Sequence, residues 1–277
     1  MKKVVTIQDI SCYGKCSLTV ALPIISAMGI ETAVIPTAVL STHTGGFTGF
    51  TFRDLTDDIP KIAQHWKSLD LKFNAVYTGY LGSVQQVQIV SDFFDDFGTD
   101  DNFIVVDPAM ADAGKLYTGF TEEFVGEMAK LCGKADYIIP NMTEASFLLN
   151  IPYTEDYDEE YVKEVLRRLV KLGCKTPVLT GVHYDDKQQG AAAYDSVNDK
   201  FYFSFKQNIN CAIHGTGDIF SSVFTGAVAL GKSLQQALDI SVAYTVDCIE
   251  ATVPHIKEMW YGSNFEQCLG NLIEYVK

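Results

Sequence analysis

Short apolar runs alternate with longer amphipathic segments through most of this chain, and this alternation restricts the fold more than any other feature. The strand-like runs are residues 4–7, 30–37, 75–78, 103–106, 137–139 and 178–181. Helical patterns cover residues 17–28, 55–69, 84–97, 121–132, 143–149 and 158–172. Strands that alternate with helices of this length predict an α/β fold with a mostly parallel central sheet and helices on both faces.

The last third of the chain departs from this alternation. Residues 190–194 and 200–205 have strand composition and are separated by a short turn, which predicts an antiparallel hairpin at one edge of the sheet. Three further helices are expected over residues 219–230, 234–251 and 264–276. Since no stretch has the composition of a linker, we expect a single domain over residues 1–277.

Charge and cysteine content exclude several classes of protein. The formal net charge of −14 makes nucleic acid and anionic membrane surfaces unsuitable partners. No apolar run reaches about 18 residues, so no membrane span is predicted. The seven cysteines are odd in number and scattered, which favours free thiols in a cytoplasmic protein over a disulfide framework.

Residues 214–222 predict a strand, a tight glycine turn and then a helix. Gly215 and Gly217 let the backbone turn and bring its N–H groups close to a ligand, where the helix presents its unpaired first-turn amides. This arrangement is typical of an anion site. Asp218 fits as a base that takes the proton of a hydroxyl attacking a bound phosphoryl group. It also fits as a carboxylate that stabilises its helix dipole, and the motif alone leaves both open.

Polar residues follow several of the predicted strands. In a parallel sheet, ligands bind at the carboxyl ends of the strands. The residues expected at that rim are Asp9, Tyr80, Asp107, Asn141, Glu144, Thr180 and Asp218. A loop over residues 41–49, rich in hydroxyl groups and glycine, is a further candidate for ligand contacts.

Residues 226–233 fit the phosphate-loop pattern G-x-x-x-x-G-K-[ST]. Helical spacing of apolar residues continues through the first half of the motif, so the required strand before it is missing. We therefore interpret Gly231 as the end of one helix and Ser233 as the N-cap of the next.

Several motifs together resemble the pyridoxal kinase family of the ribokinase-like superfamily. They are Gly215-Thr216-Gly217-Asp218, Asn141-Met142-Thr143-Glu144, Thr78-Gly79-Tyr80-Leu81-Gly82-Ser83, Val106-Asp107-Pro108 and Ser41-Thr42-His43-Thr44. The resemblance extends over essentially the whole chain, and it implies a ribokinase-like fold, ATP as co-substrate, Mg²⁺, a K⁺-type monovalent cation and a homodimer.

The resemblance also implies roles for individual residues. Asp218 is similar to the catalytic base of the family, and the amides of Gly215, Thr216 and Gly217 to its anion hole. The magnesium and nucleotide positions implied in this way are Asn141, Glu144, Asp107, Asp112, Tyr117, Thr180 and Thr216. The implied positions around the pyridine ring are His43, Thr44 and Tyr80.

The chain departs from the family pattern at the first strand. Pyridoxal kinases usually have serine where this chain has Asp9, and a Gly-Asn pair where it has Cys16-Ser17. We hypothesise that Asp9 faces a pyridine nitrogen and favours the protonated form of that nitrogen. The expected activity is phosphorylation of the 5′-hydroxymethyl group of pyridoxal, pyridoxine or pyridoxamine. The alternatives are a hydroxymethylpyrimidine kinase, a sugar or nucleoside kinase, and a non-catalytic vitamer-binding protein.

Overall fold

The computed structural model describes every residue from Met1 to Lys277. Its strands are β1 (Lys3–Ser11), β2 (Glu31–Leu40), β3 (Phe52–Asp54), β4 (Ala75–Thr78), β5 (Phe103–Val106), β6 (Ala111–Asp112), β7 (Lys115–Leu116), β8 (Tyr137–Ile138), β9 (Thr176–Val182), β10 (Gln188–Asp195) and β11 (Lys200–Gln207).

The α-helices are α1 (Leu18–Ala27), α2 (Ile59–Ser68), α3 (Val84–Phe97), α4 (Glu122–Cys132), α5 (Met142–Leu149), α6 (Glu159–Val170), α7 (Thr216–Ala229), α8 (Leu234–Thr252) and α9 (Leu269–Val276). Short 3-10 turns cover Thr56–Asp58, Val253–His255 and Phe265–Cys268.

The first of two compact units comprises Met1–Ala75 and Ile209–Lys277, and so contains both ends of the chain. Within it β1 pairs in parallel with β2, and β3 pairs antiparallel with β2. Helix α1 packs against β1 and α7, and α7 packs against α8. Most residues of α7 are buried, which explains why its sequence is apolar around nearly the whole helix.

The second unit comprises Val76–Asn208. Its strand order is β11-β10-β9-β8-β5-β4. β8 runs parallel to both β5 and β9, whereas β10 runs antiparallel to both β9 and β11. The middle strands are short and fully buried, as is typical of parallel strands. A separate two-residue hairpin is formed by β6 and β7.

The predicted fold class is confirmed: the chain is mixed α/β, with parallel strands and an antiparallel β10–β11 hairpin at the end of the strand order. Some expected boundaries were wrong. β1 continues to Ser11, so Asp9 lies inside the strand, and Thr180 lies inside β9. β3, β6 and β7 were missed because strands of two or three residues show no periodicity.

The structure also explains the motif that imitates a phosphate loop. Helix α7 continues through Ala229, and Gly231 follows with a φ of 84° in the region that favours glycine. Ser233 is the N-cap of α8, and its side chain accepts a hydrogen bond from the Gln236 amide in a reciprocal capping box. The motif therefore spans a helix end and a helix start, as the sequence pattern predicted.

All seven cysteines are free thiols. None of the helices combines the length and the apolar character that crossing a membrane requires.

Candidate functional site

The start of α7 is built on a glycine that no other residue could replace without strain. Gly215 is the N-cap residue and has a φ of 83°. A Cβ atom at this position would also collide with the backbone oxygen of Lys15. Because glycine has no side chain, the N-cap supplies no acceptor for the amides of the first turn. The first-turn amides of α7 therefore have no side-chain acceptor at the N-cap, and the anion site expected from the sequence stays a prediction.

Two neighbours of Gly215 shape the same turn. The hydroxyl of Thr216 donates to the backbone oxygen of Ile213 at 3.2 Å and ties the turn to the segment before it. Gly217 is exposed, and a Cβ atom there would meet no atom within 4 Å. The space beside Gly217 is thus open.

Asp218 lies in the first turn of α7 and is partly exposed. Its Oδ2 atom accepts a hydrogen bond from the backbone N–H of Ser17 at 3.0 Å. These two residues are 201 positions apart in the sequence. The carboxylate is therefore oriented by a loop from the other end of the chain, and a fixed orientation is a requirement for a general base.

The loop that reaches Asp218 has an unusual backbone. Gly14, Lys15 and Ser17 have φ values of 118°, 61° and 55°, all in the region that side chains disfavour. Lys15 forms an ion pair with Glu266 at 2.6 Å, and its ammonium lies 5.7 Å from the ring centre of Phe265. These contacts hold the loop against a segment near the C-terminus.

Asp9 lies on β1 beneath this loop and is buried, with 4% of its surface exposed. Ser11 donates its hydroxyl to Asp9 Oδ2 at 3.0 Å. Burial raises the pKa of Asp9, and the nearby hydroxyl groups of Ser17 and Ser11 act in the opposite direction. Burial also raises the pKa of Cys16, with the charges of Asp218 and Asp9 adding to that effect. The Cys16 thiol therefore adds no further negative charge to the cluster.

His43 is held by both ring nitrogens. The Gly45 amide donates to Nδ1 at 3.0 Å, so Nδ1 carries no proton, and Nε2–H donates to the backbone oxygen of Tyr261 at 2.7 Å. Burial lowers the pKa of His43, and the nearby His214 ring acts in the same direction. The structure therefore shows a neutral imidazole that joins the loop over residues 41–49 to the segment at Tyr261.

Aromatic rings surround His43. Its ring centre lies 5.0 Å from that of Phe47 and 5.2 Å from that of His214. Other rings continue the cluster, namely Tyr13, Trp260 and Tyr261. The neighbouring Thr44 is exposed. The sequence analysis missed these rings because Trp260 and Tyr261 lie in a segment without a motif.

In the second unit, Asn141 and Glu144 form a capping box at the start of α5. The Glu144 amide donates to Asn141 Oδ1, and the Asn141 amide donates to Glu144 Oε2, both at 2.9 Å. Asn141 Nδ2 donates to the Ala111 oxygen, and the Met110 amide donates to Glu144 Oε1. The pair thus supplies hydrogen-bond partners to the amides at the start of α5, and it holds in place the segment that leads into β6.

Glu144 is a buried carboxyl group with a second acid nearby. Burial, followed by the negative charge of Asp107, raises the pKa of Glu144 to about 8. Asp107 is 7% exposed, and its Oδ1 atom accepts from the Ala109 amide at 3.2 Å. A divalent cation would relieve this repulsion, and carboxylate oxygens are the ligands that Mg²⁺ prefers.

No group of three or more His, Cys, Asp or Glu side chains is arranged to hold a metal alone. Glu144 Oε1 accepts the amides of Met110 and Ala111, whereas Oε2 accepts the amide of Asn141 alone and retains capacity for a further hydrogen bond. These carboxylate oxygens therefore fit a Mg²⁺ ion whose other ligands are water molecules and phosphate oxygens.

The remaining predicted residues of the second unit lie near strand ends and β6. Tyr80 follows β4, and its ring centre lies 5.5 Å from that of Phe120. Thr180 forms a bridge with Asn141, and its amide donates to the Pro140 oxygen at 3.0 Å. Asp112 and Tyr117 are exposed; Asp112 lies in β6, and Tyr117 directly follows β7.

The structure therefore distributes the predicted residues between two groups. The group in the first unit contains Asp9, His43, Thr44, Gly215, Thr216, Gly217 and Asp218. The group in the second unit contains Tyr80, Asp107, Asp112, Tyr117, Asn141, Glu144 and Thr180. Ser17, whose amide donates to Asp218, was not among the predicted site residues.

Comparison with known proteins agrees with this fold. The family described as phosphomethylpyrimidine kinase matches residues 21–261. A candidate phosphomethylpyrimidine kinase from Bacteroides thetaiotaomicron, crystallised with pyridoxal, is 43% identical with a TM-score of 0.93, covering 98% of this chain and 95% of that one. Pyridoxal kinase from Lactobacillus plantarum is 29% identical with a TM-score of 0.90, covering 99% and 97%.

A second activity occurs among the relatives. The hydroxymethylpyrimidine/phosphomethylpyrimidine kinase of Bacillus subtilis is 28% identical over 229 residues, which is 82% of this chain and 79% of that protein. The chain belongs to the phosphomethylpyrimidine kinase family, and it is also similar to pyridoxal kinases. It is an ATP-dependent kinase of the vitamin B6 and hydroxymethylpyrimidine group.

Proposed function

We propose that the protein transfers the γ-phosphoryl group of ATP to the 5′-hydroxymethyl group of pyridoxal, pyridoxine or pyridoxamine. The observation that carries this proposal is Asp218, a carboxylate held by the Ser17 amide beside the glycine turn that starts α7. The 43% identical protein crystallised with pyridoxal supports a pyridine substrate.

Asp218 acts as the general base in this proposal. It takes the proton of the primary alcohol while the alcohol oxygen forms a bond to the γ-phosphorus, and ADP leaves as the bond to the β-phosphate oxygen breaks. A positioned base contributes about 10²–10⁴ in rate. The amides of Gly215, Thr216 and Gly217 donate to the phosphoryl oxygens, and loss of one such donor costs on the order of 3 kcal/mol.

The residues of the second unit hold the nucleotide and its metal. Glu144, Asn141 and Asp107 would hold Mg²⁺, which would supply positive charge against the phosphates in a chain of net charge −14. The nucleotide contacts come from Asp112, Tyr117 and Thr180, with Thr216 at the phosphates. A monovalent cation of the K⁺ type is a further expected cofactor.

The substrate ring is bound by His43, Thr44 and Tyr80, with Asp9 near the pyridine nitrogen. His43 acts in this role through its ring face and the loop it fixes, because both nitrogens bond to backbone groups. The proposal includes a homodimer, a cytoplasmic location and one kinase domain over residues 1–277. Light scattering on the purified protein gives the mass, and a monomer would remove the dimer from the proposal.

The second candidate function is a hydroxymethylpyrimidine kinase. The matching family and the Bacillus subtilis relative favour it. The chemistry is the same, because both substrates offer a hydroxymethyl group on a flat nitrogen heterocycle. Some bifunctional enzymes of that kind have cysteine where this chain has Asp218, which favours the pyridine substrates.

The experiment that tests the proposal measures ADP release with magnesium-ATP and each of five acceptors. The acceptors are pyridoxal, pyridoxine, pyridoxamine, hydroxymethylpyrimidine and ribose. We expect turnover with at least one pyridine, and unchanged turnover in Lys232→Ala, since that lysine only follows a helix end. Turnover confined to the pyrimidine or to ribose would replace the substrate, and no turnover at all would favour a vitamer-binding protein.

A further inference from the structure

The loop over residues 13–17 lies between two glycines from the last third of the chain. On one side, a Cβ atom at Gly215 would collide with the backbone oxygen of Lys15. On the other side, a Cβ atom at Gly262 would lie 2.5 Å from the backbone oxygen of Gly14. Backbone approaches a residue this closely only where that residue has no side chain. The loop therefore occupies space that glycine leaves free at both places.

The contact with the loop, rather than its own backbone conformation, explains why residue 262 is a glycine. Gly262 is not among the glycines with a positive φ, in contrast to Gly215. It is buried, and the three atoms nearest to an added Cβ would all belong to Gly14 and Lys15. The backbone at position 262 would thus accept alanine, and the obstacle to alanine is the loop.

The segment that follows Gly262 is fixed to α8 by buried hydrogen bonds. The Asn264 amide donates to Thr252 Oγ1 at 2.8 Å. The Tyr244 hydroxyl donates to the backbone oxygen of Phe265 at 3.0 Å. All four residues are buried, and α8 packs against α7, the helix that carries the proposed base. We therefore expect the loop, rather than this segment, to move if the two are forced apart.

The loop connects this contact to the proposed base. The backbone N–H of Ser17 donates to Asp218 Oδ2 at 3.0 Å. Gly14, Lys15 and Ser17 all have positive φ values, and such backbone persists only where its surroundings enforce it. The ion pair of Lys15 with Glu266 is a second contact between the loop and the segment after Gly262. A displacement at Gly14 is therefore transmitted to the Ser17 amide.

We propose that Gly262 is a positioning residue for Asp218. It lets the loop rest against the segment near the C-terminus, and this contact sets the place of the Ser17 amide that orients the carboxylate. Because Gly262 is buried and has no side chain, it acts through the loop rather than through contact with a substrate. The inference rests on the proposed function only in taking Asp218 as the base.

The test adds a single methyl group at this contact. Gly262→Ala directs a Cβ atom at the Gly14 oxygen, and Gly270→Ala is the matched control, because a Cβ atom there meets no atom within 4 Å. In the ADP-release assay Gly262→Ala should lower kcat about 10- to 100-fold, the effect of a slightly misplaced catalytic group. Gly270→Ala should leave kcat unchanged. Equal kcat values in the two variants would overturn the proposal.

The KM for ATP separates positioning from a general loss of the site. The loop contains none of the proposed nucleotide residues, so the KM for ATP in Gly262→Ala should change less than about threefold. A loss that falls on the KM for ATP, with kcat retained, would overturn the proposal.

A double-mutant cycle shows whether the effect passes through Asp218. In an Asp218→Asn background the base is already lost, so adding Gly262→Ala should lower kcat less than about twofold, a non-additivity typical of residues that act as a unit. A full 10- to 100-fold loss in that background would overturn the proposal, because Gly262 would then act through another group, such as the Gly215 turn.

A second variant tests the same support without adding volume. Glu266→Gln weakens the ion pair with Lys15 at the exposed side of the loop, and it should lower kcat about two- to fivefold. Glu274→Gln, which removes the exposed ion pair with Lys277, is the control and should leave kcat unchanged. Thermal unfolding shows whether each variant folds. If Gly262→Ala does not fold, equal kcat values in these two glutamine variants would overturn the proposal.

A crystal structure of Gly262→Ala, or of Glu266→Gln if needed, gives a readout that does not depend on activity. We expect the loop to move away from residue 262, with the Ser17 nitrogen beyond hydrogen-bond distance of Asp218. An unchanged loop, with the 3.0 Å contact intact, would overturn the proposal. Wild-type turnover that survives Asp218→Asn would contradict the proposed kinase mechanism instead, and this distance tests the positioning in either case.

Discussion

Two helix starts in this protein, those of α7 and α5, are built in opposite ways. At α7 the N-cap is Gly215, which has a left-handed backbone and no side chain to satisfy the first turn. At α5 the N-cap is Asn141, which exchanges hydrogen bonds with Glu144 in a capping box. The start of α7 relies on a left-handed glycine and gives its first-turn amides no side-chain acceptor, whereas the start of α5 satisfies its amides through side chains.

The difference predicts different consequences of mutation. Around α7 the geometry depends on left-handed residues and on contacts between distant loops, so substitutions there should act mainly on kcat. Around α5 the same side chains cap the helix and face the proposed metal, so substitutions should act on both stability and the KM for ATP. This contrast can be tested at single residues.

The largest effect should come from Asp218→Asn, which removes the base and keeps the size of the side chain. We expect kcat to fall about 10²–10⁴-fold, with little change in thermal stability. Asp239→Asn is the matched control, because Asp239 is exposed and also accepts a hydrogen bond from a nitrogen donor. Retention of more than about a tenth of kcat in Asp218→Asn would contradict the role of a base.

Gly215→Ala should lower both kcat and stability. Alanine cannot easily adopt a φ of 83°, and its Cβ would meet the Lys15 oxygen, so we expect a loss of about 1–3 kcal/mol in the free energy of unfolding. Gly217→Ala is the matched stability control, since its Cβ enters open space. Denaturant unfolding measures both, and equal losses would show that the strain at Gly215 is not the cause.

Asn141→Ala should show the mixed effect expected of α5. Loss of the cap should cost about 1 kcal/mol of stability, and the KM for ATP should rise. Thr121→Ala removes a cap of α4 in the same unit, where Thr121 accepts from the Phe124 amide, and should lower stability alone. An unchanged KM for ATP in Asn141→Ala would show that Asn141 acts only as a helix cap.

The smallest effect concerns His43 and pH. Because burial lowers its pKa, the unfolded chain binds a proton more readily than the folded one, and stability falls as the pH drops below about 6.5. His43→Gln should weaken this fall, since glutamine does not titrate. Thermal unfolding at pH 7.0 and 5.5 measures the difference. A fall of equal size in both proteins would show that His43 does not contribute to it.

Much of the fold could be predicted from local patterns. The alternation of apolar strands and amphipathic helices identified the α/β class, and helix-end chemistry correctly rejected the phosphate-loop motif at Gly226–Ser233. The pairing of Asn141 with Glu144 was also visible, because a capping box joins residues three positions apart. Interactions within one turn of a helix leave a signal in the sequence.

The role of Ser17 could not be predicted in the same way. Serine before an apolar helical run normally caps that helix, so the pattern predicted a helix start and nothing more. Its partner Asp218 lies 201 positions away, and the strained backbone of Ser17 has no sequence signature. The sequence analysis missed Trp260 and Tyr261 for a related reason, since they contact His43 and Phe47 only after folding.

The first unit is formed by both ends of the chain, and this has a consequence for biosynthesis. A ribosome completes the second unit, Val76–Asn208, before it adds Asp218, so the proposed nucleotide residues can be in place while the base has not been made. Contacts of such long sequence separation also form late, because a long loop must close first. Catalytic competence is then acquired last. A nascent chain that terminates before Asp218 lacks the proposed base and is an inactive fragment.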